Sequence, residues 1–336
     1  MSNPPEYPPR LSLAQTPTPF HCLARASERW GNGKRLWIKR DDLTGSVLTG
    51  NKVRKLEFIA AHAINHGFRT LVTCGGMQSN HCRATALVAA QLGLGCHLVL
   101  RSDGPDQRNT GNFLLDQIAG ATHEVLPAKG WAKALASAYR RLEQTYRDSG
   151  EPALMIPTGG SDSLGLWGYI AAAEELGGDI AAHNIDKAAV VLATGSAGTQ
   201  AGLTAGVALC ALPLSVVGYA VCDDAQWFNA KVAADWAAAE RRWSQLPALA
   251  LAPITREHSV GPAYGVATPE VYQLIVELAR LEGVVLDPVY TGKAFCGLLK
   301  DIREGYFDQV DDIVFVHTGG IFGLFAHEHS LIQAVN

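Results

Sequence analysis

The sequence predicts an α/β fold in which two open parallel sheets, each covered by helices, form two domains with a cleft between them. Short apolar runs of strand length alternate along the chain with segments of helical periodicity. Such alternation is typical of parallel sheets, because a crossover helix must return the chain to the same end of the sheet. A length of 336 residues suits two domains. Ligands bind at the carboxyl ends of strands in such folds, so we expect functional loops after Cys74, Ala193 and His317.

The individual elements follow from local patterns. Strands are assigned to aliphatic and β-branched runs that stop at glycine, proline or polar residues, and helices to apolar residues that recur every three or four positions. Ala84, Leu87 and Val88 share one such helical face. In chain order, strands are expected at 70–74, 96–101, 122–127, 153–157, 188–193, 214–221 and 312–317, and helices at 79–92, 109–119, 133–149, 199–210 and 225–243.

Composition predicts a soluble globular protein with no nucleic-acid or membrane partner. Apolar residues make up 48% of the chain and charged residues 18%, which is an ordinary balance for a folded domain. The net charge of −4 provides no basic surface for nucleic acid. No apolar run approaches the ~20 residues of a membrane span, and the proline-rich N-terminus lacks the apolar segment of a secretory signal.

The number and spacing of the cysteines and histidines indicate neither disulfides nor a metal centre. The seven cysteines are odd in number, scattered and without a C-x-x-C motif, so we expect reduced thiols and a cytoplasmic location. The H-x-H pair at His327 and His329 is interpreted as solvated surface. We therefore expect no metal site.

A turn of small residues follows the strand expected at 188–193. It reads Thr-Gly-Ser-Ala-Gly-Thr from residue 194 to residue 199 and leads directly into a predicted helix. Small side chains let backbone N–H groups approach an anion, and the helix N-terminus adds a favourable dipole. Ser196 and Thr199 add hydroxyl donors. This pattern predicts a site for a phosphate monoester.

Other interpretations of this turn stay open on the residues alone. A P-loop is excluded because no Gly-Lys-[Ser/Thr] follows, and glycines at 195, 198 and 202 do not match the G-x-G-x-x-G spacing of dinucleotide folds. Asp223 and Asp224 nevertheless follow the next strand, where a ribose-binding acid belongs. A nicotinamide-dinucleotide oxidoreductase is therefore an alternative, and so is a turn that packs small residues and binds nothing.

Lys52 is the candidate nucleophile. Apolar residues recur with helical spacing from Val53 onward, and Thr49 and Asn51 are residue types that cap helices, so Lys52 is expected at a helix start. The positive potential there lowers a lysine pKa and favours the neutral amine that forms a Schiff base. On spacing alone, a surface cation beside Arg54 and Lys55 is the simpler interpretation.

Seven motifs that span nearly the whole chain carry a family resemblance. They are PTPF at 17–20, IKRDD at 38–42, GNKVRKLE at 50–57, QSNH at 78–81, GSAGT at 195–199, LEGVVLDPVYTGK at 281–293 and HTGG at 317–320. The chain resembles the fold-type-II pyridoxal-phosphate enzymes (tryptophan synthase β-subunit fold), and within them the D-cysteine desulfhydrase and 1-aminocyclopropane-1-carboxylate deaminase branch. With this resemblance we expect a large cofactor-binding domain at 1–54 and 163–336, a small domain at 55–162 and a homodimer.

The resemblance implies that pyridoxal 5′-phosphate forms a Schiff base with Lys52. Asn80 would bind its phenolic oxygen, the loop after Ala193 its phosphate, and Thr318 its pyridine nitrogen. A neutral hydroxyl at that nitrogen makes the cofactor a weaker electron sink and favours elimination. The cofactor-binding residues expected on this basis are Lys52, Asn80, Gly195, Ser196, Ala197, Gly198, Thr199 and Thr318.

The resemblance also implies which residues meet the substrate. The expected catalytic residues are Lys52, Ser79, Tyr264 and Tyr290. The expected substrate contacts are Gln78, Ser79, His81 and Thr291. Without the resemblance, Asn80 and His81 would be assigned to helix capping and the tyrosines to the core.

The implied reaction is β-elimination from a small amino acid, with Lys52 taking the Cα proton. D-Cysteine would yield pyruvate, ammonia and hydrogen sulfide. Thr291 and Thr318 stand where the ring-opening deaminases resemble one another in carrying glutamate and leucine, so cyclopropane opening is disfavoured. An L-cysteate sulfo-lyase stays an alternative, in which Arg83 or Lys293 would assist the leaving sulfonate.

Three departures from the family pattern leave the substrate and its enantiomer undetermined by the sequence. Thr49 stands where relatives usually have glycine, and Ala84 where glutamine is common. Ile321-Phe322-Gly323 replaces the usual Ala-Pro-Ala after the glycine pair. We expect these changes to reshape the substrate pocket.

Overall fold

The computed structural model describes residues 6–104 and 109–335, so the first residues of the proline-rich N-terminus lie outside the described part. The strands are β1 Phe20–Cys22, β2 Arg35–Lys39, β3 Thr70–Gly76, β4 Gly95–Arg101, β5 Thr122–Leu126, β6 Ala153–Met155, β7 Ala188–Thr194, β8 Leu214–Ala220, β9 Ile254–Arg256 and β10 Asp312–Val316. The helices are α1 Ala24–Trp30, α2 Asn51–Asn65, α3 Asn80–Gln91, α4 Gly111–Ile118, α5 Trp131–Asp148, α6 Trp167–Ala182, α7 Gly198–Leu209, α8 Ala225–Arg242, α9 Pro269–Glu282, α10 Thr291–Arg303, α11 Ile321–Leu324 and α12 Glu328–Val335. Short 3-10 turns occupy Asp41–Leu43, Thr158–Gly160 and Phe325–His327.

The strands form two sheets, as the alternating pattern predicts. One has six strands in the order β1-β2-β10-β7-β8-β9, and the other has four in the order β5-β4-β3-β6. Every pairing is parallel except that of the edge strand β1, which runs antiparallel to β2. The prediction of a mixed fold with two parallel sheets is confirmed, with β1 as the one antiparallel exception.

Helices cover both faces of each sheet, which explains the uniformly apolar strands. Every residue of β7 is buried. Its alternate residues Ala189 and Val191 pack with α9 and α10, whereas Val190 and Leu192 pack with α6 and α7. In the four-stranded sheet, α2 and α3 cover one face and α5 the other. A strand covered on both faces gains from apolar side chains at every position.

The predicted elements occur with ends that differ by no more than two residues. Strands β1 and β9 are too short, at three residues each, to give a periodic signal. The four-stranded sheet lies within residues 70–155, inside the segment 55–162 expected as the small domain. The exact domain boundaries stay a prediction.

Two further sequence expectations concern thiols and membranes. All seven cysteines are free thiols. Within 6–104 and 109–335, no helix combines the length and apolar character required to cross a bilayer.

His327 is partly buried and its Nδ1 lies 3.0 Å from the Tyr272 hydroxyl, so the interpretation of the H-x-H pair as solvated surface is wrong for that residue.

Candidate active site

A cavity of about 640 Å³ lies where the carboxyl ends of both sheets meet. The loops after β3, β7 and β10 all contribute to it, as predicted from their positions. The predicted site residues that line it are Lys52, Ser79, Asn80, His81, Gly195, Ser196, Ala197, Thr199, Tyr264, Tyr290 and Thr318. Asp223 is the only carboxylate among its described lining residues, and that side chain is exposed.

Lys52 is the second residue of α2, as expected, but the helix is capped differently from the prediction. The N-cap is Gly50, which has φ 92°, and no side chain caps the helix. Thr49 instead donates its hydroxyl to the carbonyl of Asp42. A Cβ at Gly50 would lie 3.0 Å from the Thr318 carbonyl oxygen, which itself accepts the Asn51 N–H at 3.0 Å. Glycine at 50 therefore lets the start of α2 approach the turn after β10.

The amine of Lys52 has the properties of a nucleophile. Burial lowers its pKa from the ordinary 10.5 to about 8. No hydrogen bond or ion pair joins it to any residue in the described part of the chain. An amine with this pKa is neutral in a useful fraction of molecules near pH 8, and only the neutral form attacks an aldehyde.

The glycine loop between β7 and α7 has no room for larger side chains. A Cβ at Gly195 would lie 3.0 Å from the Tyr290 ring, and one at Gly198 would lie 2.5 Å from the Ser161 hydroxyl oxygen. Ala197 has φ 64°, a backbone conformation that residues with a side chain rarely adopt. The Asn51 amide donates to the Thr199 hydroxyl at 3.0 Å. The loop is thereby tied to the residue before Lys52.

Lys55 lies directly beneath this loop, and the sequence interpretation missed it. The side chain is fully buried, donates to the Gly159 carbonyl and the Ser161 hydroxyl at 3.1 Å each, and would be 2.8 Å from a Cβ at Gly198. Burial, with Lys52 as a second cause, lowers its pKa well below 10.5. Among the described residues, no carboxylate forms an ion pair with it. A dianionic ligand at the loop would raise that pKa again and so favour the charged form of the amine.

The alternative interpretation of Lys52 as a surface cation beside Arg54 and Lys55 is wrong, because both of those neighbours are buried. Arg54 is buried and contacts Asp41 at 2.8 Å and Glu175 at 2.9 Å. A signal for Lys55 was present in the sequence. It lies three residues after Lys52, so both project from the same face of α2.

The segment after β3 contributes Ser79, Asn80 and His81 to the cavity wall, whereas Gln78 does not line the cavity. Ser79 is the N-cap of α3 and its hydroxyl oxygen accepts the Cys82 N–H at 3.2 Å, which leaves the hydroxyl proton to donate elsewhere. His81 is buried and its Nε2 lies 2.8 Å from the Thr73 hydroxyl. Burial and the charges of Lys52 and Lys55 lower its pKa well below 6.5, so it is neutral.

Gln78 and Thr291 do not line the cavity. Gln78 uses its side-chain amide to hold the start of α4, donating to the Thr110 carbonyl at 3.0 Å and accepting the Asn112 N–H at 2.9 Å. Thr291 is fully buried and donates its hydroxyl to Asp287 at 2.7 Å. Contact of these two residues with substrate stays a prediction from the resemblance.

Two tyrosines of the cavity wall, Tyr264 and Tyr290, contact each other through their hydroxyl groups. The hydroxyl oxygens of Tyr264 and Tyr290 lie 2.6 Å apart. Burial raises the pKa of both phenols, so both are protonated at neutral pH. One proton joins the pair and the other remains available to a ligand in the cavity.

These features fit an aldehyde that carries a phosphate ester. Lys52 offers a partly buried amine without a partner in the described part of the chain, and the glycine loop with Lys55 offers an anion site whose backbone excludes side chains. A family model described as pyridoxal-phosphate dependent enzyme matches residues 11–319. The chain belongs to this family. Membership removes the nicotinamide alternative, and Asp224 has a structural role in capping α8 through the Trp227 N–H at 2.7 Å.

Similar proteins place the chain in one branch of the pyridoxal-phosphate dependent enzymes. It is 40% identical to D-cysteine desulfhydrase of Yersinia pestis, with 95% of this chain and 96% of that protein covered. It is 37% identical to the mitochondrial bifunctional D-cysteine desulfhydrase/1-aminocyclopropane-1-carboxylate deaminase of Arabidopsis thaliana, with 94% of this chain and 79% of that protein covered. A crystal structure of an ACC deaminase homologue matches with a TM-score of 0.87 and 35% identity, covering 97% of this chain and 96% of that one.

Proposed function

We propose that this pyridoxal-phosphate dependent lyase is a D-cysteine desulfhydrase, which converts D-cysteine and water to pyruvate, ammonia and hydrogen sulfide. The observation that carries the proposal is the partly buried amine of Lys52, with its pKa near 8, in a cavity that is also lined by a pair of protonated tyrosines and by Ser79. The relative from Yersinia pestis that carries this name supports the choice of substrate.

The described residues suit the cofactor in named ways. Lys52 would bind it covalently, and the loop from Gly195 to Thr199, with Lys55 behind it, would hold the phosphate. Asn80 would donate to the phenolic oxygen, and Thr318 would face the pyridine nitrogen. When bound, pyridoxal phosphate stabilises the negative charge left at Cα when an amino acid loses its Cα proton.

Side chains of the protein would carry out the proton transfers and bind the substrate carboxylate. The Lys52 amine, released when the substrate amine takes its place on the cofactor, would accept the Cα proton, because a base with a pKa near 8 is matched to neutral pH. The free hydroxyl proton of Ser79 binds the substrate carboxylate. The outer proton of the Tyr264–Tyr290 pair is donated to the departing sulfur. Water then hydrolyses the released enamine to pyruvate and ammonia.

A substrate screen tests the function. Purified protein is given D-cysteine, L-cysteine, L-cysteate, β-chloro-D-alanine, D-serine and 1-aminocyclopropane-1-carboxylate, and the 2-oxo acids formed are measured. We expect pyruvate and sulfide in equal amounts from D-cysteine. Release of 2-oxobutyrate from the cyclopropane amino acid as the main activity would instead identify a ring-opening deaminase. Lack of any 2-oxo acid, with cofactor bound, would contradict both.

L-Cysteate is the second candidate substrate, and Arg101 favours it. Its guanidinium carbon lies 5.2 Å from the ring centre of Tyr264 and 5.7 Å from that of Trp131, at the cavity wall. No carboxylate in 6–104 or 109–335 pairs with it. Such a stacked cation suits a substrate with a second anionic group.

The two cations suggested by sequence for this role are engaged elsewhere. Arg83 donates to the Thr49 carbonyl at 2.7 Å, and Lys293 donates to the carbonyls of Val260 and Ala263 at 2.7 and 2.9 Å.

If L-cysteate is a substrate, we expect Arg101→Gln to lower the kcat/KM for L-cysteate at least about tenfold, the scale of a charge-assisted contact. The kcat/KM for D-cysteine would change little, and equal losses on both substrates would remove Arg101 from this role.

We also infer a homodimer in the cytoplasm. The dimer follows from the family resemblance, and the seven free cysteines agree with a reducing compartment. Light scattering of the purified protein measures the oligomeric state directly, and a monomeric mass at assay concentration would contradict the dimer.

A further inference from the structure

Asn112, the second residue of α4, is fully buried and bonded to the segment that follows β3. Its side-chain Nδ2 donates both to the Gln78 main-chain carbonyl and to Asn80 Oδ1, at 2.9 Å each. Its main-chain N–H donates to Gln78 Oε1, also at 2.9 Å. Three hydrogen bonds from one residue therefore hold the turn that presents Asn80 to the cavity.

These bonds fix which end of the Asn80 amide faces the cavity. The Gln78 carbonyl oxygen only accepts hydrogen bonds, so the Asn112 group beside it must be the Nδ2 donor. That same donor lies against Asn80, which must therefore offer its Oδ1. A flipped Asn80 amide would set two donors against each other. Its Nδ2, which has no partner among the described residues, is left as a donor on the cavity side.

The space around Asn112 is shaped by the segment that departs from the family pattern. A Cβ at Gly323 would lie 3.4 Å from Asn112 Nδ2, and one at Gly111 would lie 2.4 Å from the Phe322 carbonyl oxygen. Phe322 itself lies with its ring centre 5.0 Å from the guanidinium carbon of Arg83. The replacement segment thus packs against α4 close to the Asn112 amide and helps confine it.

We propose that Asn112 is a positioning residue that turns the Asn80 amide so that its N–H meets the phenolic oxygen of the bound cofactor. The inference rests on the proposed role of Asn80 and deepens it. Asn112 does not line the cavity. It acts through Asn80, by supplying the donor that keeps Asn80 Oδ1 away from an anionic oxygen.

A double-mutant cycle tests this dependence. Cofactor affinity of the apo-protein is measured by absorbance titration for wild type, Asn112→Ala, Asn80→Ala and the double variant. We expect each single variant to weaken binding roughly tenfold or more, as loss of a charge-assisted hydrogen bond would. The double variant should be no weaker than Asn80→Ala. Independent, multiplying losses would overturn the proposal, and so would unchanged affinity in Asn80→Ala.

A second variant separates positioning from folding. Asn112→Asp keeps the side-chain size but replaces the donor by an acceptor, so we expect it to turn the Asn80 amide and weaken the cofactor at least as much as Asn112→Ala. The pH dependence of the visible cofactor band should shift in both Asn112 variants and in Asn80→Ala, a change that loss of packing alone would not produce. Wild-type affinity and an unshifted band in a folded Asn112→Asp protein would overturn the proposal.

Leu114→Ala provides the matched control, because it changes an exposed residue of the same helix. It should keep wild-type affinity, and thermal melting of each apo-protein shows whether the variant is folded. The proposed function is tested separately by turnover. If the wild-type protein binds cofactor tightly but releases no pyruvate, it is not a desulfhydrase. The double-mutant cycle of cofactor affinities would still decide the role of Asn112 in that case.

Discussion

At the scale of single residues, burial determines the chemistry of two lysines on one face of α2. Lys52 and Lys55 both lose water, and the pKa of each falls, but only Lys55 lies beneath the glycine loop. Lys52 has no partner in the described part of the chain, whereas Lys55 is bonded to Gly159 and Ser161. One lysine therefore suits covalent chemistry and the other suits charge pairing with a bound anion.

The lowered pKa of Lys52 predicts the pH dependence of cofactor binding. Only the neutral amine reacts, so its population rises with pH and levels off above the pKa of about 8. We expect the rate of cofactor uptake by the apo-protein, followed by rapid-mixing absorbance, to show the same rise and plateau. A rate that keeps rising through about pH 10, as for an ordinary exposed lysine, would contradict this environment.

Lys55 should increase the affinity of the protein for a cofactor that carries a phosphate group. Replacing it with methionine keeps an apolar stem of similar length but removes the charge, so we expect affinity for pyridoxal phosphate to fall roughly tenfold or more. Affinity for pyridoxal, which has no phosphate, should hardly change. Lys231→Met is the matched control, because Lys231 also lines the cavity but is paired with Asp235. Equal losses for both ligands would show that Lys55 acts through folding alone.

At the scale of elements, α2 connects the Lys52 amine to the rest of the protein. One face carries Lys52 and Lys55, and another carries Arg54, which joins the helix to Asp41 and to Glu175 of α6. Gly50 and Asn51 tie the start of the helix to the turn after β10 and to the glycine loop. These contacts fix the position from which Lys52 enters the cavity.

Replacing Arg54 should weaken the contacts of α2 with Asp41 and α6 and so lower the stability of the fold. Arg54→Met leaves the buried Asp41 carboxylate without its cation, while Glu175 keeps its ion pair with Lys39, and we expect the loss to cost about 3–5 kcal/mol of unfolding free energy. Arg147→Met is the control, because Arg147 pairs with Glu143 at the surface, where such pairs contribute about 0–1 kcal/mol. Denaturant unfolding measures both. Similar small effects would mean that the Arg54 pairs do not anchor α2.

At the scale of the whole molecule, two sheets direct the carboxyl ends of their strands into one cavity. The alternation of apolar runs and helical segments was enough to predict this arrangement and the loops that line it, because parallel sheets leave few choices of topology. Motifs placed Lys52, the glycine loop and the tyrosines at the site.

Other features could not be predicted because they depend on contacts between distant segments. The burial of Arg54 requires Asp41 and Glu175, which lie 13 and 121 residues away in sequence. Gln78 turns from the cavity because α4 offers it Thr110 and Asn112 as partners. The antiparallel edge strand β1 has only three residues and no periodic signal. In each case tertiary partners, rather than local pattern, decide the outcome.

Chemical trapping identifies the lysine that holds the cofactor, which we propose to be Lys52. Purified protein with bound pyridoxal phosphate is reduced with borohydride, digested and analysed by mass spectrometry. We expect a stable phosphopyridoxyl group on the peptide that contains Lys52 and on no other lysine. A group found on Lys55, or on any lysine outside the cavity, would contradict it.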